Sequence, residues 1–251
     1  MDRVATCAEL LGGGPDLGPR VTRMTEQEWL ECTDDAQLWE SDVLWDRASE
    51  RKYQLFAVAW CRRIWHLFPN EWSRHAVETL ERVAEGLCDE AALQAAWDLF
   101  ESLSPDPHAD LSETQAHALS AALTCVIDKE YRLATVASAY CQGAIRASQR
   151  RTDFEEDIQR LEKDDCDLIR ELFGNPFRPI AVNPSWLMWN DGTVIKLAQG
   201  IYNDLAFDRL PILADALEEA GCNNAHILAH CRQPGEHVRG CWVVDLILGK
   251  E

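Results

Sequence analysis

The chain has ten cysteines, at 7, 32, 61, 88, 125, 141, 166, 222, 231 and 241, yet no CxxC pair. Without that pair no tight turn presents two thiolates to a zinc ion, and thiols so scattered read as small buried hydrophobes in a reducing compartment. No apolar run approaches the ~18 residues that a bilayer crossing requires. The opening Met1-Asp2-Arg3-Val4-Ala5-Thr6 lacks the basic and long apolar regions of a signal peptide, so a cytoplasmic location is expected. Positive charge is scarce: 24 Lys and Arg stand against 43 Asp and Glu, a net charge of −19. That balance repels nucleic-acid backbones and anionic membranes, and fits a basic protein partner, divalent cations or plain solubility. The basic pairs Arg51-Lys52, Arg62-Arg63 and Arg150-Arg151 are isolated and make no nucleic-acid patch. There is no Gly-rich phosphate loop, GxSxG elbow, kinase signature or Asp-x-Asp-x-Asp-Gly calcium loop. His226-Ile227-Leu228-Ala229-His230 lacks the Glu of the HExxH metalloprotease motif.

What is present is globular. Of the 251 residues 47% are hydrophobic, too apolar for disorder, and ten tryptophans predict several Trp-centred packing clusters. Residues 1–23 read as a leader without fold, because Gly12-Gly13-Gly14-Pro15 and Gly18-Pro19 break helices. Thr25-Glu26-Gln27-Glu28 is a capping box ahead of Trp29-Leu30, and the Met24 directly before it raises the question of a translation start there.

From that point the apolar period is helical. A well-buried helix is predicted near 48–68, stopped by Pro69-Asn70, then helices around Val77–Ala84 and Leu93–Phe100. Ser104-Pro105-Asp106-Pro107 interrupts, Ser112 caps a long stretch toward Ala147, and Phe154 to Leu172 runs to a C-capping Gly174. Asn190-Asp191-Gly192 on its own suits a β-hairpin turn. Val194, Leu197, Ala198, Ile201 and Tyr202 favour instead a helix capped by Thr193 or Asp191. Helices follow near 209–220, 223–232 and 238–248. The fold class is all-α, a multi-helix bundle or irregular helical array without significant sheet. The expected organisation is a leader (1–23), a helical domain (24–173) and a C-terminal helical subdomain packed on it (174–251).

Chemistry concentrates near the C-terminus. Cys222, His226, His230, Cys231, His237 and Cys241 crowd together, and His226/His230 and His237/Cys241 share helical faces at i, i+4. Cys222, His230, His237 and Cys241 make four tetrahedral ligands for zinc if they converge. In the plainer alternative Cys222 and Cys241 pack as small apolar residues while His230 and His237 cap helix ends, and the lack of close thiolate spacing favours it. Gly174-Asn175-Pro176-Phe177-Arg178-Pro179 is either a stiff loop offering Arg178 to an anion or a helix stop with Phe177 in the core, and the second is preferred. The carboxylates between Asp153 and Asp167, interleaved with Arg160 and Lys163, read as a solvated helix face.

Met24-Thr25-Glu26, Glu28-Trp29-Leu30, Leu55-Phe56-Ala57-Val58-Ala59 and Cys61-Arg62-Arg63-Ile64-Trp65 stand out as wording. So do Phe173-Gly174-Asn175-Pro176-Phe177-Arg178-Pro179, Phe207-Asp208-Arg209-Leu210-Pro211 and His237-Val238-Arg239-Gly240-Cys241-Trp242. In these segments the chain resembles, over roughly residues 24–251, a large paralogous group of uncharacterised bacterial proteins. The resemblance implies a helical fold and no particular activity, cofactor or catalytic residue.

Three functions are compatible with these features. The first is a non-enzymatic, acidic helical scaffold or adaptor without cofactor, meeting an unknown protein partner through an exposed cluster of Arg178, Trp186 and Trp189. The alternative is a helical protein, structural or enzymatic, that binds zinc through Cys222, His230, His237 and Cys241. The third is an acidic mimic of nucleic acid, which requires carboxylates in a regular stripe.

Overall fold

The computed structural model describes residues 22–45, 48–103, 111–127, 130–149 and 154–250. The fold is all-α; among the described residues the sole β-type pairing is an isolated parallel bridge between Thr22 and Ser41. That bridge brings the last residues of the expected leader into the fold: Thr22 N donates to Glu40 O at 2.8 Å, and Thr22 O accepts from Asp42 N at 3.0 Å. The rest of the expected leader lies outside the described residues.

Among the described residues three short helices come first: α1 (Glu26–Glu31), α2 (Asp35–Trp39) and α3 (Asp42–Trp45). The Thr25 capping box is complete, with Thr25 N donating to Glu28 Oε2 at 2.7 Å and Glu28 N to Thr25 Oγ1 at 3.3 Å. Next come α4 (Glu50–Arg63), α5 (Glu71–Ala84), α6 (Ala91–Leu103), α7 (Glu113–Ile127), α8 (Glu130–Gln149) and α9 (Phe154–Phe173). The helix expected near 48–68 therefore ends at Arg63 and passes into a 3-10 turn, Trp65–Leu67. The interruption expected at Ser104-Pro105-Asp106-Pro107 lies outside the described residues. Helix α4 is the hub, packing on α5, α7, α8 and α9. Its residues from Lys52 to Cys61 are all buried, as expected of a helix that is apolar round most of its surface.

After α9 come α10 (Pro184–Met188), α11 (Thr193–Asp204), α12 (Leu210–Glu219), α13 (Ala225–Arg232) and α14 (Trp242–Leu248). Helix α11 starts differently from its expected cap. Asn190, Asp191 and Gly192 all take positive φ (45°, 55° and 76°), a run these residue types tolerate. Gly192 is the N-cap without a side-chain bond, and Thr193 Oγ1 instead donates back to Asn190 O at 2.6 Å.

The buried apolar residues form two clusters. One runs from Met24 to Leu172, with Trp29 and Trp60 fully buried and Trp39 set against Phe56 at 5.0 Å between ring centroids. The other runs from Trp186 to Ile247. Between them lies a polar seam. Arg51 and Lys52 of α4 both bond to Asp245 of α14, and Arg51 also reaches Glu85 and Tyr202. Lys250 closes on Glu85 at 2.8 Å. Among the described residues no helix is long and apolar enough to cross a membrane.

Candidate metal centre

At one end of the seam four side chains converge from four stretches of chain. Glu171 sits in the last turn of α9, His230 in the last turn of α13, His237 in the connection beyond it, and Cys241 at the N-cap of α14. Each offers one ligating atom, and the four atoms lie within 4.8 Å of one another. His237 Nδ1 is 3.1 and 3.0 Å from the two Glu171 oxygens, His230 Nε2 is 3.3 Å from Glu171 Oε2, and His230 Nε2 is 3.2 Å from Cys241 Sγ. Zinc bonds of about 2.0–2.3 Å generate tetrahedral edges of about 3.3–3.7 Å. The close contacts of 3.0–3.3 Å fall at or below these edges while the full set spans up to 4.8 Å, so a cation at the centre needs some donors to move outward and others to draw in.

The site is dry: Cys241 is fully buried, and the Glu171, His230 and His237 side chains are 5%, 9% and 6% exposed. Burial pushes the His230 ring down to about 4, against the pull of Glu171. The Cys241 thiol is pushed well up, by burial first and then by the Glu171 charge. His237 goes the other way. Burial alone would lower it, but the hydrogen bond and charge of Glu171 together raise it, with help from the Gln233 carbonyl. The buried His237 Nε2 makes no hydrogen bond among the described residues.

Around these donors the supporting contacts fit ligation. Gln233 Nε2 lies 3.2 Å from His230 Nδ1. A half-turn of that amide lets its oxygen accept Nδ1–H, which frees the Nε2 lone pair for a cation. Trp242 covers the other side of His230, with ring centroids 5.1 Å apart. One carboxylate, two imidazoles and one thiolate suit a borderline cation such as zinc better than magnesium or calcium.

Of the four ligands read from the sequence, His230, His237 and Cys241 meet, and Cys222 does not. Cys222 precedes α13 while His230 lies in its last turn, and Cys222 is not among the converging donors. Its thiol is 2% exposed and packs in the second core. Glu171 takes the fourth place and was absent from the sequence reading.

The expected contact cluster is also corrected. Trp186 is buried in the second core at 9% exposure, and Trp189 packs half-buried beside it. Leu187 of α10 packs against the same core, so this short helix is anchored by its apolar side chains. Arg178 is exposed but engaged: Nη1 is 3.0 Å from His226 Nε2, Nη2 donates to Glu26 Oε2 at 3.3 Å, and Asn175 donates to the same carboxylate at 2.7 Å. The loop 174–179 thus fastens the C-terminal segment to α1. A groove of about 1130 Å³ runs along the seam, with Trp29, Lys52, Glu171, Arg178, His230 and Trp242 among its walls. Comparison with known proteins finds no matching family model, curated protein or solved structure.

Proposed function

We propose that this chain is a metal-stabilised helical protein in which Glu171, His230, His237 and Cys241 hold one zinc-class divalent cation. The observation supporting this is the convergence of four donors, of the right chemical types, within 4.8 Å in a buried pocket. With four protein ligands the set is closed, leaving no open position for substrate, which favours a fastening role over a catalytic one. The cation joins α9 of the first core to α13 and α14 of the second, so its binding energy becomes stability of the whole assembly.

Elemental analysis of protein purified without chelator, paired with melting curves with and without chelator, tests this. One equivalent of zinc and a lower melting temperature after chelation are expected. Metal-free protein with an unchanged melting curve sinks the reading. The helical scaffold or adaptor then takes its place, a reading that the seam groove supports.

A further inference from the structure

We infer that Lys52 is a positioning residue for the metal centre, its ammonium holding the Glu171- and Cys241-bearing segments at ligating distance. The inference rests on the metal reading above. Lys52 is far from the ligands in sequence and belongs to α4 of the first core. Its Nζ donates three bonds: to Leu172 O at 2.9 Å, to Gly240 O at 2.7 Å and to Asp245 Oδ2 at 2.6 Å. An ammonium has three donors, and all three are used. Leu172 follows Glu171 directly, and Gly240 precedes Cys241 directly. Asp245 N in turn donates to Cys241 O at 2.9 Å.

The two carbonyls need this partner for physical reasons. Leu172 O is among the last carbonyls of α9, which have no intrahelical donor and carry the negative end of the helix dipole. Gly240 runs hard against α4 and α9: a Cβ there would sit 2.8 Å from Leu172 Cδ2 and 2.9 Å from Leu55 Cδ1. The backbone before Cys241 is thereby pressed onto the ammonium. Arg51, the neighbouring cation, supplies the contrast. It bonds Asp245 Oδ2 at 2.8 Å and Oδ1 at 3.2 Å, and also reaches Glu85 and Tyr202. A role confined to pairing with Asp245 would be shared by both cations, whereas Lys52 also bonds the two carbonyls that adjoin Glu171 and Cys241.

The test compares wild type, Lys52→Met, Arg51→Met and Cys241→Ser, with Co²⁺ as spectroscopic probe and zinc affinity from competition with a chromophoric chelator. Lys52→Met is expected to weaken zinc binding about 10–100-fold, the usual effect of losing an outer partner of a ligand. Its thiolate-to-cobalt band stays, since the ligands are unchanged; Cys241→Ser loses that band, and Arg51→Met keeps wild-type affinity. Wild-type affinity in folded Lys52→Met overturns the inference while leaving the metal reading intact. Wild-type protein that binds neither Co²⁺ nor zinc overturns both. Should Lys52→Met not fold, acylation of wild-type protein by acetic anhydride replaces it. Zinc bound to the segments that the ammonium bridges lowers the population of openings that expose Lys52, so it should slow modification of Lys52 and leave the exposed Lys196 unaffected, and an unchanged Lys52 rate overturns the inference.

Discussion

His237 presents Nδ1 to both oxygens of Glu171, at 3.1 and 3.0 Å, across 66 residues of chain. Glu171 belongs to the helix that closes the first core, and His237 to the loop between the last two helices of the second. Glu171→Gln keeps the shape and one acceptor oxygen but removes the charge a divalent cation needs. Zinc affinity is expected to fall by more than the ~10–100-fold typical of an outer partner. Cys222→Ser, remote from the cluster, is expected to leave it unchanged. Chelator competition on the two variants measures both, and equal losses would contradict the ligand set.

At the opposite end of the seam, Tyr202 joins the two cores through its hydroxyl. It donates to Glu85 and accepts from Arg51 Nη2 at 2.7 Å. Tyr202→Phe removes both bonds to charged groups while keeping the ring under Arg239 and Lys250. A loss of about 2 kcal/mol is expected from urea unfolding. A loss under ~0.5 kcal/mol would mean that the C-terminal helices are held by apolar packing alone.

Much of the helical framework was legible because its signals are local. The Thr25 box and the apolar faces near Leu55, Val77 and Leu161 act within a few turns of chain, where periodicity and capping chemistry decide the outcome. Residues 230–241 were legible as a cluster for the same reason of proximity. Glu171 was not, since helical period says nothing about which distant loop meets the end of α9. One sign was available: an acid in a helix's last turn opposes the dipole and calls for a cationic partner. Cys222 was misread because closeness in sequence to His226 hid the length of helix separating it from His230. Trp186 was misread because amino-acid type alone does not distinguish an anchor in a small core from one on a surface.

Asp35, in the first turn of α2, has its carboxyl pushed up to about 6, chiefly by burial and then by Asp34 and Glu162. Asp165 of α9 is raised as well, first by its own complete burial and then by the charge of Asp35. A carboxyl raised in the fold binds its proton more tightly there than in the unfolded chain. Below pH ~4 Asp35 is protonated in both states and costs nothing. As pH rises toward 6 the unfolded chain ionises first, and the penalty is complete above 6. Asp35→Asn should therefore stabilise the protein at pH 7.5 by on the order of 1–2 kcal/mol, after allowance for partial solvation, and be neutral at pH 4. Urea unfolding at the two pH values checks this, and an equal effect at both would remove Asp35 from the titration.

Gly240 and Gly86 separate backbone strain from close approach. Both have positive φ, 92° and 66°, but a Cβ at Gly86 meets nothing within 4 Å, while one at Gly240 strikes Leu172 and Leu55. Gly86→Ala should cost only the left-handed strain of about 1–2 kcal/mol. Gly240→Ala adds a forced separation of α14's N-terminus from α4 and α9, for a total on the order of 3 kcal/mol or more. Because that separation also draws Cys241 away from Glu171, zinc affinity should fall in Gly240→Ala and hold in Gly86→Ala. Urea unfolding and chelator competition on the same two proteins resolve the terms. Equal stability losses would show that the contact at Gly240 relaxes freely, and that the spacing of the metal ligands does not depend on it.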